Sequence, residues 1–372
     1  MQTYYEKFNK NFRTIFIAFY KVYPSYSGVS EVSKNFFESW PTRKKIFYFP
    51  YNLTNSNNLF LLKIFSFFFK IIFLLITFIK IKFIEIPKSK KNLIIIEGAS
   101  WIFFSFFFIV LCKVFLNKIK IIYHSHNVEY EVRTYKKNFL ITIITKILEK
   151  KVFEKTISTV VSEIDQKKIF DNYRLKPYIL FNGINEDIKF KKKIVKNFQI
   201  IFPGNYDYYF NYISINILTN EIIPFLLKKF PKIKLVITGS KKVSQNFTEE
   251  NIQYKGFLKR KKYLNILQSS NLLIYPATKA PGTKFKIIEA ICHGLIVITT
   301  KEGLKGISAI KNTKSILIYK NYKQLEQLIT KCFKNIKNIK KHAYKDANYY
   351  KKIYSFKNIN NKFINNYLLE KL

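Results

Sequence analysis

Short runs rich in Ile, Leu and Phe alternate with longer segments of helical period along the whole chain, and this alternation most restricts the fold. Parallel strands are covered by helices on both faces, so they read as near-continuous apolar runs joined by helical crossovers. In the first half the strand candidates are Thr14–Tyr20, Lys45–Phe49, Leu93–Glu97, Lys120–Tyr123, Ser158–Ser162 and Tyr178–Phe181. In the second half they are Gln199–Pro203, Lys234–Thr238, Ile252–Tyr254, Leu272–Tyr275, Leu295–Thr299 and Ser315–Tyr319. Between the halves lie the turn signal Asn182-Gly183 and a polar, Lys-rich stretch to about Asn197, which places a boundary near 183–197. The expectation is two doubly wound α/β domains facing each other across a cleft, with ligands outside the carboxyl ends of the strands.

Residues that follow those strands carry the chemistry. Gly28 follows the first, Glu97-Gly98 the third, His124-Ser-His126-Asn127 the fourth, and Ser162-Glu163 the fifth; Gly204, Gly239, Gly256 and Pro276 hold comparable places later. The richest stretch is Gly282-Thr-Lys-Phe-Lys-Ile-Ile-Glu289-Ala, followed by Gly294 and the strand Leu295–Thr299. A glycine loop entering a helix N-terminus offers backbone N–H groups and the positive end of the helix dipole to an anion. Lys284 and Lys286 add charge there, so a phosphorylated ligand is expected. The two lysines alternate around Phe285, so only one is expected to point firmly inward; Lys284 has a solvated side chain as its default.

This stretch, with the later Gly303–Gly306 pair, resembles the donor-binding segment of retaining GT-B glycosyltransferases of family 4, the group 1 glycosyl transferases. The resemblance extends to His126-Asn-Val-Glu129, Ser162-Glu163-x-Asp165, Asn182-Gly183-Ile184-Asn185, Pro203-Gly204-Asn205, Asn211 and Glu221-Ile-Ile-Pro224. It implies a GT-B fold: an acceptor-binding Rossmann-like domain over 1–185, a nucleotide-sugar donor domain over 186–350, and a final helix over 351–372 returning toward the first domain. It also implies a retaining transfer from a nucleotide sugar to an acceptor hydroxyl, with no protein nucleophile.

By that resemblance Lys286 stabilises the diphosphate leaving group, Glu289 binds the ribose diol, and His126 contacts the donor sugar. Gly28, Gly204, Gly282, Thr283 and Lys284 approach the diphosphate, while Gly256 and Phe257 lie where the base is read. Plainer readings stand beside these: Glu289 as a helix-start cap, His126 as a satisfied strand-end histidine, Gly28 as a turn glycine. The family usually has a Glu where Pro281 stands, and an Arg and a Lys within the Gly204-Asn-Tyr-Asp-Tyr-Tyr run. Those departures leave the donor open and keep a non-catalytic partner subunit in play. His124 and His126 share a strand face, but no cysteine or carboxylate cluster completes a metal site in the sequence, so no metal and no cofactor is expected beyond the nucleotide-sugar co-substrate.

The formal net charge is +42, yet Arg occurs only five times, so the charge is almost all Lys, as in a protein from an AT-rich genome. Compositional drift and attraction to an anionic membrane surface both fit; a nucleic-acid partner is the third reading of the charge and is not expected. Cys112, Cys292 and Cys332 are scattered and form no disulfide framework, and the first residues have no signal-peptide pattern, which gives the expectation of a cytoplasmic protein, peripheral on the inner membrane face in one reading. The run 59–79 would be about 31 Å long as a helix. Its Lys63, Ser66, Lys70 and Thr77 fall on one stripe, which leaves a core helix, a membrane-surface helix and a span as alternatives. Trp101–Cys112 suits a buried helix. The acceptor is expected to be lipid-linked or polysaccharide. A nucleotide-sugar epimerase on the same fold and a basic nucleic-acid-binding protein are the rival functions.

Overall fold

The computed structural model describes residues 8–25, 27–51, 59–86, 91–116, 119–134, 138–184, 198–206, 208–239, 250–278, 282–307, 310 and 313–372. Contacts divide the chain into one unit of Met1–Asn185 with Phe356–Leu372 and a second of Glu186–Ser355. The boundary stretch 185–197 and Pro281 lie outside the described residues.

The first unit holds β1 (Phe12–Ala18), α1 (Gly28–Ser39), β2 (Arg43–Tyr48), α2 (Leu59–Lys80), β3 (Lys91–Gly98), α3 (Ile102–Phe115), β4 (Lys120–Ser125), α4 (Glu129–Thr134), α5 (Phe139–Lys155), β5 (Ile157–Val160), α6 (Glu163–Tyr173) and β6 (Tyr178–Ile179). Its strands pair in parallel in the order β2-β1-β3-β4-β5-β6. The second unit holds β7 (Gln199–Pro203), α7 (Tyr209–Ile217), β8 (Lys234–Thr238), β9 (Ile252–Tyr254), α8 (Arg260–Gln268), β10 (Leu272–Tyr275), α9 (Phe285–Cys292), β11 (Ile296–Thr299), β12 (Ile316–Ile318), α10 (Tyr322–Lys334) and α11 (Ile336–Ile353). Its parallel order is β12-β11-β10-β7-β8-β9. Each expected strand is present, Gln199–Pro203, Lys234–Thr238, Ile252–Tyr254 and Leu272–Tyr275 with the expected bounds and the others with ends moved by one or two residues, and both sheets are doubly wound, as the alternation implies.

The apolar runs form strands because both faces of each sheet are covered. In unit 1, Ile15, Ile17, Ile94 and Ile96 are fully buried against Phe104, Phe108 and Ile109 of α3. On the opposite face Phe16 meets Phe36 and Trp40 edge-on, and Trp40 donates its ring N–H to Thr14 at 2.9 Å. A helix near the end of the chain, α12 (Phe356–Phe363), closes this face. Phe356 stacks on Phe36, Phe363 lies 6.4 Å from Trp40, and the Phe356 amide donates to Ile184. Burying two such rings is worth about 2–3 kcal/mol each, so the chain re-enters unit 1 at Phe356 rather than at 351.

The run 59–79 forms α2, continued by a π-helical turn over Ile81–Glu85. It is not a core helix. Leu74, Thr77, Phe78 and Ile81 are buried, whereas Phe65, Phe68, Phe69, Ile72 and Ile79 are exposed. Trp101–Cys112 falls in α3, which buries Ile102, Phe104, Phe108, Ile109 and Cys112 as its length implies.

Candidate active site

In the second unit the chain runs from β7 to one side through β8 and β9, then crosses back to β10 on the other side. The carboxyl ends of β7 and β10 therefore flank the point where winding direction reverses, the place where open α/β sheets leave a crevice. Loops there are held tightly. The amide of Gly204, just after β7, donates to the Thr238 carbonyl at 2.8 Å, and Gly239 donates to Gly256 at 2.9 Å. Gly239 has φ +128, and a Cβ on it would meet the Gly204 oxygen at 2.3 Å, so only glycine fits. Among the described residues other than its chain neighbours, no heavy atom lies within 4 Å of the place a Cβ would take on Gly256, and Phe257 beside it is exposed.

Lys286 reaches into this region from the first turn of α9. Its ammonium donates to Asn211 Oδ1 at 2.7 Å, and the Asn211 amide donates to the Asn205 carbonyl at 3.0 Å. The same ammonium lies 4.2 Å from the centre of the Phe202 ring and 4.8 Å from that of Tyr275. Burial pushes its pKa down to about 7, because few groups around it replace the water an ammonium needs. A lysine poised near neutrality at a strand-end crevice gains most from an anionic ligand.

Lys284 is a correction. The expectation was a solvated side chain that lends charge to a ligand. It is buried, and its ammonium donates to the carbonyls of Gly282 at 2.9 Å and Lys305 at 3.0 Å. It braces the loop from inside, while Gly282 makes the turn at φ +68. The Thr283 carbonyl accepts from the Phe285 amide at 3.0 Å, and the side chain of the N-cap residue, Lys284, does not cap α9.

Glu289 sits in the middle of α9, so it is no helix-start cap. Its buried carboxylate is paired with Arg260 Nη1 at 2.5 Å and accepts from the Tyr263 hydroxyl at 2.5 Å. Burial opposes its ionisation, but Arg260, His293 and the Tyr263 hydrogen bond together hold its pKa below the usual carboxylate range. Arg260 and Tyr263 come from α8 and were not foreseen. The rarity of arginine was the available signal. Of five arginines, Arg13, Arg133 and Arg260 each pair with a buried carboxylate, Glu85, Glu129 and Glu289 respectively. A planar fork suits that task better than an ammonium.

The first unit has its own reversal point, between β1 and β3. Glu97, near the end of β3, is paired in register with His124 of β4. Its Oε2 accepts from His126 Nε2 at 2.8 Å and from Ser33 Oγ at 2.5 Å, and Ser33 is 2.6 Å from the Tyr20 hydroxyl. Burial works against the carboxylate's charge, yet the His126 bond and the adjacent His124 hold its pKa below the ordinary range. His124 is fully buried, shares a 2.9 Å hydrogen bond with Thr159, and has its pKa lowered to about 3 by desolvation.

Two expectations change here. His126 is almost wholly buried and bonded to a carboxylate, which matches the satisfied strand-end reading rather than an open sugar contact. A carboxylate also does complete the histidine pair: ligand-capable atoms of Glu97, His124 and His126 lie within 4.8 Å of one another. Gly28 is the first residue of α1, behind the Ser27 cap, where an ordinary helical glycine suffices. Glu129 and Glu131 begin α4 as expected, and the buried Glu149 accepts the Glu129 amide at 2.6 Å.

Residues 197–335, nearly the whole of the second unit's sheet and its helices, match the family described as glycosyl transferases group 1. No curated protein matches the chain by sequence. Among solved structures, a sucrose-phosphate synthase from Thermosynechococcus elongatus superposes with a TM-score of 0.71 at 12% identity, covering 96% of this chain and 99% of that one. The Anabaena protein HepE, in complex with UDP-glucose, gives 0.67 at 11% identity over 96% and 100%. A glycosyltransferase from Rickettsia africae gives 0.62 at 15% identity over 96% and 98%. The fold shared with these proteins is GT-B, two Rossmann-like domains in tandem.

Proposed function

We propose that this chain, whose second unit matches the group 1 glycosyl transferases and whose fold is GT-B, transfers a sugar, with retention of anomeric configuration, from a nucleotide-sugar donor held by the second unit. The Lys286–Asn211–Asn205 chain at the reversal point between β7 and β10 carries this reading. Loss of the nucleoside diphosphate places growing negative charge on its bridging oxygen. An ammonium whose pKa has been pushed down to about 7 becomes fully charged beside that oxygen, so its stabilisation grows as the bond breaks. The leaving phosphate then takes the acceptor's proton on the same face, so no protein nucleophile is needed. Lys286 supplies the positive charge, and the reading calls for neither metal nor cofactor.

Glu289, fixed by Arg260 and Tyr263, is the group proposed to take a ribose hydroxyl. Gly256 and the exposed Phe257 offer open space and an aromatic face beside the Gly239 turn, which suits a nucleobase. UDP-glucose, held in the HepE structure, is the first donor to try. The acceptor side belongs to the first unit, and a lipid-linked or polysaccharide acceptor in cell-envelope glycan synthesis, met on the cytoplasmic side, is the proposed partner.

A calorimetric panel of UDP-, GDP- and ADP-sugars tests the donor side. One donor class should bind with a dissociation constant in about the micromolar range. Lys286→Ala should weaken it by about tenfold or more, near 1.4 kcal/mol. Absence of binding by every donor, or an unchanged affinity in the variant, would contradict the assignment. Conversion of the donor sugar without any acceptor would point to an epimerase instead.

A further inference from the structure

The polarity of α2 is inverted. Its polar stripe should face water if the helix belonged to a freely soluble domain. Instead Thr77 is buried, and the Lys70 ammonium lies over the Phe49 and Phe104 rings at 5.6 and 5.4 Å, with its pKa lowered to about 8 by burial. The rings and branched chains that should be inside are outside. Phe68, Phe69 and Ile72 are at least half exposed, and Phe83, in the turn that follows, is 74% exposed. The apolar stretch Ile64–Glu85 has a mean hydropathy of 2.3.

Exposed apolar side chains are also found on the neighbouring helices α3 and α5. Phe78 of α2 lies 6.0 Å from Phe115 of α3, and Phe115 and Val114 are exposed. At the start of α5, Phe139 and Leu140 are more than 70% exposed, followed by the exposed Ile143, Ile144 and Ile147. Together these side chains present on the order of 1,000 Å² of apolar surface, beyond the roughly 300–600 Å² of the largest patch on an ordinary monomer.

Charge decides what covers this face. No Asp or Glu occurs between Leu59 and Ile84 or between Ile102 and Phe115. Lys80, Lys82 and Lys113 are exposed beside the patch, and Lys82 lies 5.2 Å from both the Phe83 and Phe115 rings. Two copies of this face would set lysine against lysine, whereas anionic headgroups complement it. The helix is also fastened along its length. Phe73 meets Phe19, Phe78 meets Phe108, and the buried Glu85 at its end pairs with Arg13 and Lys45. A helix so fastened lies against its own domain.

We propose that α2, with the exposed rims of α3 and α5, is a lipid-facing surface that seats the first unit in the interface of an anionic membrane leaflet, with α2 in the membrane plane. Phenylalanines enter the boundary between headgroups and acyl chains, and the flanking lysines meet lipid phosphates. This deepens the acceptor side of the proposed function by giving a lipid-linked acceptor a place to be met. It stands on the exposed apolar side chains of α2, α3 and α5 and the lysines beside them, all in the first unit, so its failure would leave the donor-side reading untouched.

Flotation of the full chain with vesicles tests it without any sugar substrate. Vesicles of phosphatidylcholine with about one-third phosphatidylglycerol should carry the protein at least about tenfold more than phosphatidylcholine alone at low salt. The triple variant Phe68→Ser, Ile72→Ser, Phe83→Ser should lose about tenfold or more of that binding while keeping its circular dichroism and nucleotide affinity, since all three side chains are exposed. A wild-type chain that stays free of anionic vesicles overturns the proposal, as does a triple variant that floats equally well. Self-association in ultracentrifugation, abolished by the triple variant and without vesicle binding, would show that a second copy covers the face. Retention in membranes after alkaline carbonate extraction would show a span and overturn the in-plane placement.

Discussion

The two sheets reverse direction in the same way but hold opposite chemistry at the reversal. In the first unit the place beside β1 and β3 is filled from within: the Glu97 carboxylate is met by His126 and Ser33, and His124 is neutral. In the second, the place beside β7 and β10 holds the Lys286 ammonium, which has one amide oxygen, two aromatic faces and a depressed pKa. One charge has its counter-groups built in. The other has no carboxylate partner among the described residues. In the function proposed above, the same architecture makes a fixed scaffold in one unit and an anion site in the other.

Removing the carboxylate is the most damaging way to probe the difference. Glu97→Ala strands His126 and Ser33 without their acceptor and should cost about 3–5 kcal/mol of stability in urea unfolding. A loss under about 1 kcal/mol would mean the network is solvated after all. The pH dependence has the same sign. Glu97 and His124 both have lowered pKa values in the folded chain. The unfolded chain therefore binds more protons, and their contribution is present at neutral pH and lost as pH falls below about 6.5 toward 3.

Arg260→Ala is the next step down. It leaves Glu289 buried beside Tyr263 without its cation and should cost about 2 kcal/mol. Adding Glu289→Gln should return part of that stability while leaving ribose recognition weakened. If the double variant is no more stable than the single one, the two groups are not coupled.

Much of the fold was legible because strands buried on both faces must be written as apolar runs, and Ile94–Ile96 or Leu272–Tyr275 can be little else. What the sequence could not supply was direction and long-range partnership. Periodicity put Ser66, Lys70 and Thr77 on one stripe of α2 but could not say that the stripe faces inward. Lys284 and Lys286 flank Phe285 in a loop-to-helix turn, where no alternation fixes which side chain is buried. Among so many lysines, exposure was the natural default, and the loop carbonyls of Gly282 and Lys305 overrode it. Glu97 precedes His126 by 29 residues and becomes its partner only through the pairing of β3 with β4. The arginines were the most readable signal left unused, since a chain that uses Lys almost everywhere places Arg beside Glu85, Glu129 and Glu289.

The account rests most heavily on Lys286 as the group that meets the diphosphate. Titration of UDP into the full chain at about pH 8, in two buffers of different ionisation enthalpy, tests this directly. With its pKa lowered to about 7, Lys286 is mostly neutral there, and a bound diphosphate should restore its proton. Binding should therefore take up close to one proton, and affinity should rise as pH falls from about 9 toward 7. Lys286→Met should abolish the uptake and weaken UDP by about tenfold or more, with stability unchanged or slightly higher because a poorly solvated ammonium has gone. Equal affinity in the variant, or binding with no proton taken up, would contradict the central claim.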